Sequence, residues 1–185
     1  RAALTPGTGS HSLPVMQPLP SLRRSISLHG LVALLAQGLV FAVVAAAYRI
    51  PWQRVALFLG ICAAYHGLLT ALLLLRAADF RIEGTGEPLA RVNLATTLTL
   101  VRLSSIPTVT FLVIEAERRP LAPVVVPLLA VVFLTDLLDG LAARRRGQVT
   151  FVGKYLDSTS DYLMIIAVSV LFYHFRLLPA WLFAL

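Results

Sequence analysis

Two apolar runs near the start of the chain, residues 31–48 and 55–75, contain no charged side chain. Each is close to the roughly 20 residues a helix needs to cross the hydrocarbon layer of a membrane. Three more runs follow at 92–114, 121–141 and 152–175, and another opens at 177. Inside a bilayer every backbone amide must be bonded by the chain itself, which leaves only helices and closed barrels. Barrel strands take about 10 residues with alternating polarity, and these runs are too long and too uniform for that. The expected fold is all-α, a polytopic helical membrane protein. A composition of 58% hydrophobic and 14% charged residues in a chain of 185 agrees with it.

Residues 1–28 are rich in Pro, Ser, Gly and Thr and read as a disordered cytoplasmic tail that includes Arg23 and Arg24. Two arginines before an apolar run also suit a signal peptide. The run is longer than a typical signal core and lacks a small-residue cleavage site, which favours a first membrane span. With Pro51 as its turn, 29–75 forms an N-terminal transmembrane hairpin. Gln37 and His66 are its main polar groups, each read as an interhelical hydrogen bond or a satisfied core position. Cys62, the single cysteine, reads as a packing residue. Residues 76–91 mix six charged side chains with Gly84, Gly86 and Pro88. They read as a wet juxtamembrane linker, opened by a short amphipathic surface helix, and as the best domain boundary. The third run then begins with Asn93, Thr96, Thr97, Thr99, Arg102, Ser104 and Ser105. An arginine several residues inside a span is either functional or a snorkelling side chain.

Basic residues are unevenly shared between the two ends of the spans. Ten fall on one side (Arg1, Arg23, Arg24, Arg76, Arg81, Arg91, Arg144, Arg145, Arg146 and Lys154) and five on the other (Arg49, Arg54, Arg118, Arg119 and Arg176). The richer side is expected to face the cytoplasm. The net charge of +7 suits contact with anionic lipid, and no basic stripe interleaved with aromatics points to nucleic acid. Lys154 is the sole lysine, an arginine bias that suits a GC-rich bacterial genome and hence the bacterial cytoplasmic membrane.

Four of the nine acidic residues lie within 136–161, at the cytoplasmic end of two successive spans. Asp136 and Asp139 are three apart and Asp157 and Asp161 four apart, so each pair shares a helix face. A short turn joins the spans, so the four carboxylates are expected to converge. Unneutralised, they would repel one another and take up protons. Mg²⁺, Mn²⁺ or Ca²⁺ suits an all-oxygen set, and four carboxylates can hold two such ions. The lack of nearby His or Cys argues against zinc. Paired ions are a recurring solution for displacement at phosphorus. Gly140, Ala142 and Ala143 leave room for a ligand or a neighbouring helix, and Arg144 follows one turn later, within reach of a phosphate.

Asp136, Asp139, Gly140, Ala143, Arg144, Gly153, Asp157 and Asp161 match every fixed position of the pattern D-x2-D-G-x2-A-R-x8-G-x3-D-x3-D. In this the chain resembles the CDP-alcohol phosphotransferase (CDP-alcohol phosphatidyltransferase) family. Asn93, Thr96, Arg102 and Pro107 resemble the family's first core helix, with a longer spacing between the asparagine and the arginine. The resemblance covers about 77–185 and implies a six-helix core that works as a homodimer. It implies transfer of a substituted phosphate from a CDP-linked donor such as CDP-diacylglycerol to an alcohol, releasing CMP. It further implies Mg²⁺ or Mn²⁺ on Asp136, Asp139, Asp157 and Asp161, with Asp161 also the catalytic base, and a nucleotide site at Gly140, Ala143 and Arg144. Asn93, Thr96, Arg102 and Gly153 are supporting candidates.

Residues 92–185 then form a partial core, three full helices and the start of a fourth, preceded by the extra hairpin. Both chain ends read as cuts, and the sequence leaves open whether a chain of this extent is active alone. An ion or metal transporter could use the same acids, but transport does not require Gly140, Ala143 and Arg144 at fixed distances, and the acids lie near one face. An inactive scaffold would not need the complete acid set.

Overall fold

A computed structural model describes residues 20–146 and 150–176, with the backbone alone at 136, 137 and 139–146. Five α-helices make up the described chain: α1 Pro20–Ala47, α2 Trp52–Leu75, α3 Leu94–Glu115, α4 Ala122–Arg146 and α5 Phe151–His174. No strand occurs among the described residues, and only two isolated bridges do. The chain is a polytopic helical membrane protein. Four of its helices (α1, α2, α3 and α5) are long and apolar enough to cross a bilayer, and the described apolar part of α4 runs over Ala122–Thr135.

The helix α3 is the axis of the bundle. It packs against α4 and α5 on one side and against both hairpin helices on the other. Its buried positions include Thr96, Thr99, Arg102, Ser104, Ser105, Thr108 and Glu115. The other helices turn large apolar side chains outward, such as Leu35, Leu68, Phe133 and Ile165, as lipid-facing surfaces do. Two apolar clusters close the interior. One gathers Leu22, Ile26, Leu73, Phe80, Leu103 and Leu156 at the end where α3 begins. The other, at the opposite end, contains Phe41 stacked on Phe58 at 3.9 Å with Phe111 edge-on.

Polar groups on the hairpin meet polar groups on α3. Thr108 donates to Gln37 Oε1 at 2.6 Å, and Gln37 Nε2 reaches Ser104 at 3.5 Å. His66 turns to its own helix instead, with Nδ1 at 2.8 Å from the Cys62 carbonyl. Pro107 lies inside α3 and has no N–H, so the Leu103 carbonyl one turn earlier loses its helical donor. Tyr65 of α2 replaces that donor, its hydroxyl bonding Leu103 O at 2.9 Å. Tyr65→Phe should therefore lower stability by about 1 kcal/mol, seen as a drop in the thermal midpoint in detergent, with no effect on ligand affinity. At the far end Glu115 is buried between Arg54 of α2 at 3.6 Å and Arg119, and Arg119 Nε also donates to the Tyr48 carbonyl.

Two local readings of the sequence differ from the structure. The helix α1 begins at Pro20, inside the stretch whose composition suggests a disordered tail. Leu22 and Ile26, four apart among serines and arginines, are both buried against the core and draw this segment into the helix. The juxtamembrane segment is exposed over 83–88, as a wet linker is, but it is more ordered than that reading implies. It opens with a 3-10 turn at Ala77–Asp79 and buries Ala77 and Phe80. Ile82 N bonds Glu87 O at 2.9 Å and Leu89 N bonds Phe80 O at 2.8 Å, folding it back on itself. Gly84 and Gly86 supply the left-handed backbone of that reversal, with φ of 95° and 71°.

Candidate functional site

The folded juxtamembrane loop holds the start of α5. Ile82 bridges to Thr150, Phe151 N bonds Arg81 O at 3.3 Å, and Lys154 Nζ bonds Glu83 at 2.7 Å. Thr150 caps α5 by accepting from Gly153 N at 3.0 Å. A Cβ on Gly153 would lie 2.8 Å from that same Thr150 oxygen and 3.8 Å from Thr96 Oγ1 of α3. Glycine thus leaves room for the capping oxygen, while the distance to Thr96 is ordinary van der Waals contact. Gly153→Ala should weaken the cap by about 1 kcal/mol and speed amide exchange in the first turn of α5.

Within the next two turns α5 presents Asp157 and Asp161. Arg102 of α3, its side chain only 4% exposed, reaches both. Arg102 Nη2 donates to Asp157 Oδ1 at 2.6 Å, and Nη1 lies 3.5 Å from Asp161 Oδ1. The arginine does not snorkel. Its fork joins the two helices and sets the acids on one face. The acids themselves are open, with side chains 55% and 64% exposed. These contacts use one oxygen of each carboxylate. Ser160, between the two acids, faces inward and is fully buried.

The other candidates fall into two groups. Asn93 caps α3, its side chain accepting from Thr96 N at 3.0 Å. Thr96 is buried on the face of α3 that approaches Gly153. Asp136, Asp139, Gly140, Ala143 and Arg144 all lie on the last part of α4, and their side chains are outside the described residues. Among the described residues no three of His, Cys, Asp and Glu gather as a metal site, so the pair Asp157 and Asp161 is the visible half of the expected set. Its donors are carboxylate oxygens alone, a chemistry that suits a hard divalent cation.

The docking of the juxtamembrane loop against α5 was not foreseen from the sequence. The alternation of Phe80 and Ile82 with Asp79, Arg81 and Glu83 carries little signal by itself. The pairing of Ile82 with Thr150 spans the whole of α3 and α4.

An all-helical membrane bundle with an acid pair on one helix, gripped by an arginine from the next, defines a membrane-embedded acidic site. Residues 92–185 match the CDP-alcohol phosphatidyltransferase family, and the chain belongs to that family. It is also 31% identical over 101 residues to the CDP-diacylglycerol–glycerol-3-phosphate 3-phosphatidyltransferase of Bacillus subtilis (strain 168). That match covers 49% of this chain and 52% of the relative, so the chain spans about half the length of the curated relative it matches. No solved structure matches the chain.

Proposed function

We propose that the protein transfers a phosphatidyl group from CDP-diacylglycerol to an alcohol acceptor and releases CMP. The observation that carries this reading is the Asp157 and Asp161 pair, held on one face of α5 by buried Arg102 within a complete family motif. Asp136, Asp139, Asp157 and Asp161 are the residues that would hold two Mg²⁺ or Mn²⁺ ions. When bound, these ions offset the charge of the diphosphate. Gly140, Ala143 and Arg144 take the nucleotide.

Asp161 accepts the proton of the acceptor hydroxyl, whose oxygen then attacks the β-phosphorus. A new P–O bond forms as the bond to the bridging oxygen breaks, and CMP leaves with that electron pair. The donor's acyl chains stay in the bilayer while the reacting phosphates meet water. The same arrangement fits a homodimer in a bacterial cytoplasmic membrane, with the acids facing the cytoplasm. The alcohol named for the Bacillus relative, glycerol 3-phosphate, is the first acceptor to try.

The test is CMP release from CDP-diacylglycerol by the protein in liposomes, with Mg²⁺ or Mn²⁺ and a panel of acceptor alcohols. CMP formed with one acceptor, and lost on chelation, is the expected result. A folded protein that forms no CMP with any acceptor would overturn the reading. The transporter alternative is the poorer fit, because transport would not require Gly140, Ala143 and Arg144 at their fixed distances from the acids.

A further inference from the structure

The hairpin lies outside the part of the chain that matches the family, yet its first helix builds a groove with the segment just before α3. Three contacts set the groove's floor. Ser25 Oγ accepts from the Val92 amide at 3.3 Å, and His29 Nδ1 donates to the Ser25 carbonyl at 2.8 Å while its Nε2 lies 3.3 Å from Thr97 Oγ1. The resulting open cavity is about 690 Å³ in volume. Arg24 from α1 and Arg91 from the loop both line it, together with Ser21 and Leu28, and among the described residues its lining contains no acidic one. Among the described residues neither arginine has a carboxylate partner.

Below the arginines the groove opens onto an apolar track. Leu28, Leu31, Val32 and Leu35 recur at helical spacing along α1, and each is more than half exposed. A doubly basic pocket above an exposed apolar helix face fits an amphipath that carries a phosphate at the membrane surface. Ordinary arginine anchoring at a membrane surface would need neither a cavity nor the convergence of two chain segments.

We propose that this groove is a binding site for an anionic phospholipid. Arg24 and Arg91 grip its phosphate, Ser21 lies beside them as a hydroxyl donor, and an acyl chain runs along Leu28 to Leu35. The site is separate from the acid pair on α5 and does not depend on the phosphatidyl-transfer reading. It gives the extra hairpin a role, since lipid held there ties α1 to the loop that leads into α3.

The experiment compares thermal unfolding of the protein in nonionic detergent with added phosphatidylglycerol, phosphatidylcholine or inorganic phosphate. Phosphatidylglycerol is expected to raise the midpoint by about 5 °C, and the other two to leave it almost unchanged. Arg24→Gln and Arg91→Gln should each remove at least half of that gain. Arg23→Gln, which removes the same charge beside the groove and not in it, should keep it. All three residues are exposed at the protein surface, so the lipid-free midpoints should agree and show that folding is intact.

Equal loss in all three variants would reduce the effect to bulk charge and overturn the site. Full stabilisation by inorganic phosphate alone, with no added effect of lipid, would overturn the phospholipid as occupant. Native mass spectrometry gives a second readout. It should show one retained phosphatidylglycerol in the wild type and in Arg23→Gln, and fewer in the two groove variants.

Discussion

Asp161→Asn should reduce CMP release by at least a hundredfold while leaving binding of the CDP moiety measurable. General-base catalysis contributes roughly 10²–10⁴-fold, and an amide cannot take the acceptor's proton. The side chain is 64% exposed and its contact with Arg102 is the longer of the two at 3.5 Å, so the substitution keeps the 2.6 Å bond from Arg102 to Asp157 that ties α5 to α3. The loss of Asp161 should therefore appear in kcat more than in the thermal midpoint. Single-turnover measurement of CMP formation, beside equilibrium binding of a CDP analogue, separates the two effects. Normal turnover in this variant would move the base to another residue.

Arg102 should show a different signature. Truncation to Ala removes a buried cation that two helices share. Breaking a buried ion pair costs about 3–5 kcal/mol, and the half-exposed acids place this one at the lower end of that range. Activity should fall as well, by about a hundredfold, because a displacement of about 1 Å in a positioning group has that effect. Arg102→Lys is the sharper test. Lysine keeps the charge but has no planar fork to reach Asp157 and Asp161 together. The Lys variant should recover much of the stability and little of the activity. Recovery of both would mean that charge alone matters at this position.

The sequence conveyed the bundle well, because long uncharged runs permit few alternatives in a membrane. It also conveyed the acid spacing on α5, since a four-residue interval fixes a helix face. Three features were less legible, each for a physical reason. The start of α1 at Pro20 depends on the burial of Leu22 and Ile26 against residues far along the chain, while local composition favours a tail. The loop 76–91 looks solvated because its charges outnumber its anchors, although buried Ala77 and Phe80 and the bonds of Arg81, Ile82 and Glu83 to the start of α5 dock it. For Arg102 the sequence favoured a functional reading and left snorkelling as the alternative. Only the packing of α5 against α3 shows that the side chain turns inward. On α4 the positions of Asp136, Asp139, Gly140, Ala143 and Arg144 follow from helix periodicity, and their convergence with α5 stays part of the proposal.

The bonds from Tyr65 and Gln37 to α3 bear on how the protein is made. A helix that carries an arginine, several hydroxyls and an internal proline is a poor candidate to enter a bilayer alone. The hairpin precedes it in the chain and is the more apolar, with mean hydropathy of 2.3 and 2.0 in its two helices against 1.6 in α3. Ribosomal synthesis therefore delivers α1 and α2 to the membrane before α3 emerges. They arrive with an amide aimed at Ser104 and Thr108 and a phenol aimed at the carbonyl that Pro107 strands. The hairpin serves as a built-in reception site for α3, so its deletion should show first as failed insertion of α3 and only then as loss of the proposed activity.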